Sequence, residues 1–167
     1  KSHVLPDTEL LDRAGIEIES ERGALLREGG FSPIERFDGH SPPDKRSGYA
    51  QFLRDAGYEG HDPWNEHAIS VTTPDGGTAS GWFMRNAHLP TRVREEHSET
   101  AYLTGRAVEF IASNASKPWC LHLSYVTPHW PYVAPAPYNA MYRDRPQRPI
   151  VKAGHEKTDA HPVVRAF

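Results

Sequence analysis

Residues 98–132, SETAYLTGRAVEFIASNASKPWCLHLSYVTPHWPY, contain the pattern that decides the fold. Ser98 is a residue type that caps helix N-termini well, and Glu99 places a negative charge at the positive end of the helix dipole. Apolar side chains then recur at helical spacing, namely Leu103, Ala107, Val108 and Ile111. This spacing predicts a helix from about Ser98 to Ser113 that packs one face on a sheet.

The second half of the stretch predicts a buried β-strand. Trp119 to Val126 is an apolar run of strand length, bounded by Pro118 and Pro128. Cys120 is the single cysteine of the chain, so no intrachain disulfide can form, and a buried thiol is expected. A helix followed by a buried strand predicts an α/β fold: a partial sheet with flanking helices and long loops rich in proline and glycine.

Start and stop signals upstream predict three short helices. The first follows Pro6 and Asp7, the second covers about Glu19 to Glu28 before Gly29, and the third covers about Gly48 to Ala56 before Gly57.

The region between the third and fourth helices predicts a small hairpin. Ala68 to Thr72 would form its first strand, and the second strand would lie near Gly81-Trp82-Phe83. The turn would fall at residues 73–77, where Gly76-Gly77 can adopt positive φ without steric cost.

Composition restricts the class of protein. With 167 residues, the chain is the size of one domain or part of one. A formal charge of −3 gives no field that would attract nucleic acid or an anionic membrane. No apolar run approaches the roughly 20 residues that span a bilayer, so a soluble chain is expected. The 15 prolines predict long loops, above all after Thr127, with at most a short helical turn near Tyr138 to Tyr142.

The local sequence around His129 indicates a candidate site residue. It follows the predicted strand closely, and binding groups of open α/β sheets gather beyond the carboxyl ends of strands. Pro128 and Pro131 would hold its backbone stiffly, and Trp130 and Tyr132 offer aromatic surface beside it. The local sequence leaves one alternative open, in which His129 only caps a proline-rich surface turn and belongs to no site.

Other patterns that carry chemistry are lacking. The histidines show no metal-ligand spacing, and the sequence has no glycine-rich phosphate loop and no G-x-S-x-G nucleophile motif. No metal site is therefore expected from this chain. Four tryptophans could line a groove for a sugar or an aromatic substrate, although tryptophan more often lies in the core. They are Trp64, Trp82, Trp119 and Trp130.

Residues 117–132 resemble the core strand of the sulfatase and phosphonate monoester hydrolase family, which ends in a P-H-x-P-[FY] loop. The likeness continues through residues 133–138, and residues 96–111 resemble the helix before that strand. Lys1-Ser2-His3 is similar to the sulfatase G-K-x-H motif without its glycine, and it precedes the loop as in the family. The resemblance implies an alkaline-phosphatase-like fold.

The resemblance also implies a role for each matching residue. Lys1 would contact sulfate or phosphate oxygens, His3 would assist at the nucleophile, and His129 would bind the ester anion or protonate the leaving group. Trp130 would add substrate-binding surface. Lysine and histidine can neutralise the charge that builds on a tetrahedral anion during transfer, so these side chains are expected to face one pocket.

The family's nucleophile and metal ligands are not matched. That nucleophile is a formylglycine made from the cysteine of a C-x-P-x-R motif, whereas Cys120 precedes Leu121 and His122. A divalent metal, calcium or manganese, would be held by acidic residues and an amide before Lys1 and after Phe167. Residues 1–167 are thus expected to be an internal part of a single catalytic domain, truncated at both ends and inactive alone. An incomplete sheet would leave one edge unpaired.

For the whole protein, the resemblance implies metal-dependent hydrolysis of small sulfate, phosphate or phosphonate esters. The phosphonate monoester hydrolase branch is the most similar but lacks the K-x-H pair, so the choice between sulfate and phosphate esters stays open. The alternative function is a non-catalytic relative that serves as a carbohydrate-binding or scaffolding module. A C-x-P-x-R motif upstream and an Asp-His or Asp-Asn pair downstream would favour catalysis.

Overall fold

The structure, a computed structural model, describes residues 8–27, 29–35, 48–146, 148–149, 151 and 161–162. The regular elements within these ranges are α1 (Thr8–Arg13), α2 (Glu21–Arg27), α3 (Gly48–Asp55), β1 (Ser70–Thr72), β2 (Thr78–Ser80) and α4 (Glu99–Ser113). Single helical turns cover Trp64–Ala68, Met84–Asn86, Glu95–His97 and Tyr138–Ala140. Helices combined with a small antiparallel sheet confirm the predicted α/β class. Among the described helices, none has both the length and the apolar character needed to cross a membrane.

Helix α4 confirms the prediction made from residues 98–113. The hydroxyl oxygen of Ser98 accepts a hydrogen bond from the backbone N–H of Ala101 at 3.2 Å, a capping contact that stabilises a helix by about 1 kcal/mol. Leu103 and Ala107 are buried, but Val108 and Ile111 are 60% and 41% exposed. Only part of the predicted apolar face is therefore covered.

The shorter helices also form where their end signals predicted them. Helix α3 ends in a Schellman arrangement, in which Tyr58 N–H bonds to the Leu53 carbonyl and Gly57 N–H bonds to that of Arg54, both at 2.9 Å. Gly57 has a φ of +87°, which confirms its predicted role as the stop. Pro6 and Asp7, the start signals of the first helix, lie outside the described residues. The turn predicted near Tyr138 is present as a 3-10 turn.

The hairpin forms, but its second strand was predicted too late. β1 and β2 pair antiparallel with Val71 opposite Ala79, so the second strand ends before Gly81. The turn is tight because Thr73 N–H bonds to the Gly77 carbonyl at 3.0 Å and Gly76 N–H bonds back to the Thr73 carbonyl at 2.9 Å. Gly76 has a φ of +84°, as the turn prediction required.

The far edge of β1 ties the hairpin to more distant parts of the chain. Thr72 N–H donates to the Pro90 carbonyl at 2.9 Å, and Thr91 N–H donates to the Ala134 carbonyl at 3.0 Å. Residues 90–92 therefore lie between β1 and Ala134, and they connect the hairpin to the segment that follows His129.

The core lies between α3, the hairpin and the start of α4. Its buried side chains are Tyr49, Leu53, Trp64, Ile69 and Val93. Leu53 is 0% and Trp64 is 2% exposed, and burying a side chain of this kind stabilises a fold by about 1.5–3 kcal/mol. The core therefore fixes the relative positions of these elements.

The predicted strand over residues 119–126 is the main error of the sequence prediction. The segment runs without regular secondary structure, and among the described residues no strand lies beside it. Its side chains reach α4 instead, where Trp119 meets Phe110 at 5.9 Å between ring centroids and the Tyr125 and Thr104 hydroxyls are 2.7 Å apart. A strand needs hydrogen bonds from a neighbouring strand as well as apolar residues, and the described residues supply none.

The same segment overturns the expectation of a buried cysteine. Cys120 is exposed, and Trp119 is 46% exposed. Because burial of both faces of a strand comes from the elements around it, the apolar run could not by itself secure the burial of this thiol.

Replacing Gly81 by alanine is expected to destabilise the hairpin. An added Cβ would overlap the Ile69 carbonyl oxygen and lie 2.9 Å from Val133 Cγ1, and both neighbours are held by the fold. We expect Gly81→Ala to lower the free energy of unfolding by about 2 kcal/mol in urea denaturation followed by tryptophan fluorescence.

Gly105→Ala is the matched control, because a Cβ at this position inside α4 meets nothing within 4 Å. Alanine is the better helix former, so the free energy of unfolding should rise by about 0.5–1 kcal/mol. Equal effects of the two substitutions would contradict the close approach at Gly81.

Candidate functional site

His129 lies in a tight turn directly after the irregular segment of residues 119–126. Its backbone N–H donates to the Val126 carbonyl at 2.8 Å, which closes the turn, and its side chain is half-buried. The ring is oriented locally, because Nδ1 lies 2.7 Å from the carbonyl oxygen of Trp130. These two contacts agree with the prediction that the chain holds His129 stiffly at this point.

The contact with Trp130 determines which nitrogen of the neutral His129 ring carries the proton. A backbone carbonyl only accepts hydrogen bonds, so Nδ1 of His129 must carry a proton and donate it. In the neutral ring, Nε2 is therefore the acceptor nitrogen.

Three tryptophans connect the histidine loop with the core. The rings of Trp130 and Trp82 meet edge-on with centroids 4.5 Å apart, and those of Trp82 and Trp64 meet edge-on at 6.0 Å. Trp64 is the buried end of this row at 2% exposure. Trp119 lies elsewhere, against α4. Of the alternatives left open for the tryptophans, the core applies to Trp64.

The chain on the other side of His129 is also held. Besides the bond between Thr91 and Ala134, the side-chain amide of Asn139 donates to the His88 carbonyl at 3.0 Å. The loop at residues 127–133 is thus fixed at both ends, by Val126 and by the hairpin edge.

A cavity of about 580 Å³ lies beside this loop, between α3, the start of α4 and residues 127–138. Its lining includes Tyr49, Trp64, Thr91, Glu99, Thr127 and Tyr138. Most of this surface is apolar, so Glu99 is the group whose charge the cavity accommodates least readily.

Burial in this cavity raises the pKa of Glu99 to about 8, although a hydrogen bond from the backbone of Val126 acts in the opposite direction. Burial likewise raises the pKa of the Tyr49 hydroxyl, and the charge of Glu99 adds to that shift. Val126 therefore contacts both Glu99, through its N–H, and the His129 turn, through its carbonyl. In the sequence, Glu99 stands out only as a helix-start residue, and no local pattern signals its burial.

The other predicted site residues are only partly placed. Lys1 and His3 lie outside the described residues, so the common pocket with His129 stays a prediction. Trp130 is next to His129, and its ring packs on Trp82. Among the described residues, no three histidine, cysteine, aspartate or glutamate side chains converge as metal ligands would.

Comparisons with known proteins agree on the kind of protein. The family model described as Sulfatase matches residues 22–156. The multifunctional alkaline phosphatase superfamily protein PehA of Trinickia caryophylli is 35% identical over 80 residues, which are 47% of this chain and 16% of that protein. The structure of the phosphonate monoester hydrolase SpPMH from Silicibacter pomeroyi superposes with a TM-score of 0.61 at 25% identity, over 89% of this chain and 28% of that one. The chain thus spans less than a third of either relative.

The raised pKa of Glu99 predicts a dependence of stability on pH. Folding favours the protonated carboxyl, so between the ordinary value of 4.5 and about 8 the folded state binds more protons than the unfolded state. The free energy of unfolding should therefore fall as the pH rises through this window. In Glu99→Gln, which is neutral and can still accept the Val126 bond, the fall should be smaller in urea denaturations at a series of pH values.

Glu96→Gln removes the same charge from a side chain that is 58% exposed, and it serves as the control. Its pH profile should follow that of the unsubstituted protein. If Glu99→Gln also followed it, burial would not raise the pKa of Glu99.

Proposed function

The chain belongs to the sulfatase family, and we propose that it forms part of a metal-dependent hydrolase of sulfuric or phosphoric esters, to which it supplies anion-binding and acid–base residues but not the nucleophile. Residues 1–167 would be an internal part of one catalytic domain, which agrees with the small share of its relatives that the chain spans. Its substrates would be small esters.

The observation that carries the proposal is the orientation of His129. The ring sits in the loop that matches the family's P-H-x-P-[FY] pattern, and the Trp130 carbonyl fixes the proton on Nδ1. A general acid must present one nitrogen toward the leaving group with the other held in place. The bond at Nδ1 of His129 supports the proposal that Nε2 is the proton donor.

The chemical step that His129 would assist is departure of the alcohol. As the bond between the ester oxygen and sulfur or phosphorus breaks, negative charge builds on that oxygen. Nε2–H of the imidazolium would donate its proton there, and the neutral ring would keep its Nδ1–H bond to Trp130. Such proton transfer accelerates reactions by about 10²–10⁴-fold.

Lys1, His3 and Trp130 complete the proposed site. The ammonium of Lys1 would contact the anionic oxygens, and His3 would assist at the nucleophile, as the family resemblance implies. Trp130 would offer substrate the part of its ring that does not pack on Trp82.

The divalent metal of the family, calcium or manganese, does not fit the described residues, because they contain no cluster of acidic or histidine ligands. Its ligands would belong to segments before Lys1 and after Phe167.

Among the ester classes, phosphonate monoesters are the proposed first choice. The structural relative that superposes over 89% of the chain is a phosphonate monoester hydrolase. The matching relative PehA is described as multifunctional, so activity toward more than one ester class is part of the proposal.

The alternative, a carbohydrate-binding or scaffolding module, needs open tryptophan faces. Trp64 is buried and Trp82 is half-buried between two other indoles, so neither offers a flat exposed platform. Trp119 is 46% exposed but lies apart from this row, against α4. The tryptophan row therefore gives the alternative no support.

We expect His129→Ala in the full-length protein to lower kcat by about 10²-fold or more on a phosphodiester with an alkoxide leaving group, because the proton donor is lost. Steady-state kinetics would measure the effect. His88→Ala, at an exposed histidine on a neighbouring loop, is the matched control and should leave kcat unchanged. An unchanged kcat in His129→Ala would remove this residue from the site.

A panel of sulfate, phosphate and phosphonate esters that share one leaving group would test the substrate class. The full-length protein should show its highest kcat/KM on the phosphonate monoester, with measurable activity on another class. A strong preference for sulfate esters would contradict the first choice and leave the family assignment intact.

A further inference from the structure

Trp82 occupies a position between the core and the histidine loop. Its indole contacts the buried Trp64 on one side, with centroids 6.0 Å apart, and Trp130 on the other, with centroids 4.5 Å apart. Within the described part of the chain, Trp82 is the aromatic ring that meets Trp130. No local pattern predicted a direct contact between Trp82 and Trp130, which lie 48 positions apart in the sequence.

The orientation of Trp82 is set from several directions. Gly81 N–H donates to the Ile69 carbonyl at 2.9 Å, and the backbone N–H of Trp82 donates to the Ser80 hydroxyl at 3.3 Å. The indole N–H points to the side-chain oxygen of Asn65 at 3.5 Å. Asn65 is itself held, because Asp62 accepts its backbone N–H at 3.2 Å. The ring of Trp82 is therefore a fixed support.

What Trp82 supports is the residue that orients His129. The Trp130 carbonyl accepts the Nδ1–H bond at 2.7 Å, and the Trp130 ring packs on Trp82. If the Trp130 ring lost this neighbour, its backbone carbonyl could rotate away from Nδ1. The imidazole would then sample other tautomers and orientations, and misplacement by about 1 Å can lower a rate 10²-fold.

We propose that Trp82 is a positioning residue, whose indole holds Trp130 and so fixes the tautomer and direction of the His129 imidazole. The inference rests on the proposed function, in which His129 donates a proton to the leaving group. Trp82 acts through Trp130 and is not itself assigned a contact with substrate.

The test uses the full-length protein with Trp82→Leu, which keeps apolar volume but removes the ring, and Trp82→Phe, which keeps a ring. Two esters of one acid are compared, one with an alkoxide leaving group and one with 4-nitrophenoxide. A poor leaving group needs proton donation and a good one does not. Trp82→Leu should lower kcat about tenfold or more for the alkyl ester and less than about threefold for the nitrophenyl ester, while Trp82→Phe should restore most of the loss.

A second readout does not depend on turnover. In protein labelled with ¹⁵N-histidine, the ring shifts of His129, assigned by their loss in His129→Ala, should show a protonated Nδ1 in the neutral form, and Trp82→Leu should shift them toward a tautomer mixture. Trp119→Leu, at a 46% exposed tryptophan that packs on α4, is the matched control and should change neither readout.

Two outcomes would overturn the inference: equal losses on both esters in Trp82→Leu, or unchanged kinetics with unchanged ring shifts. His129→Ala measured beside these variants separates the two proposals. If His129→Ala is impaired on the alkyl ester and Trp82→Leu is not, the positioning role fails and the proposed function stands. If His129→Ala itself is fully active, the proposed function fails.

Discussion

The burial of Trp64 is the interaction on which the rest of the structure depends. It is 2% exposed in a core formed by α3, the hairpin and residues near α4, and its ring gives Trp82 a fixed surface to pack on. Apolar burial is not directional, but the edge-on contacts between indoles are. The core therefore fixes the orientation of the Trp82 ring, and Trp82 in turn contacts Trp130 in the histidine loop.

The start of α4 shows two physical effects in opposition. A carboxylate at a helix N-terminus is stabilised by the dipole, yet burial beside the cavity raises the pKa of Glu99 to about 8. Removal from water is the larger effect, as expected for a charge in apolar surroundings. Glu99 accepts a hydrogen bond from the Val126 N–H, and His129 N–H donates one to the Val126 carbonyl. Hydrogen bonds to one residue therefore connect the start of α4 with the histidine turn.

Residues 119–126 show that a local apolar pattern does not by itself produce a β-strand. Their apolar run and proline boundaries are those of a core strand, and the family profile extends across them. Within the described residues they have no regular secondary structure and no pairing strand, and Cys120 and Trp119 are exposed. The chain covers 28% of the structural relative on which it superposes, and in a sheet, strand pairing is a property of neighbours and not of one segment.

The sequence by itself determined the features that depend on nearby residues. These are the capped helix at residues 99–113, the glycine stop after α3, the tight turn before β2, and the motif around His129 that identifies the family. Caps, turns and motifs are encoded within a few residues, so a single sequence reveals them. Only the tertiary structure decided the register of β2, the row of tryptophans, the tautomer of His129 and the raised pKa of Glu99. The tryptophan row and the raised pKa depend on packing and loss of water, which involve residues far apart in the chain. The register of β2 and the tautomer of His129 depend on hydrogen bonds between near neighbours, whose geometry only the folded backbone defines.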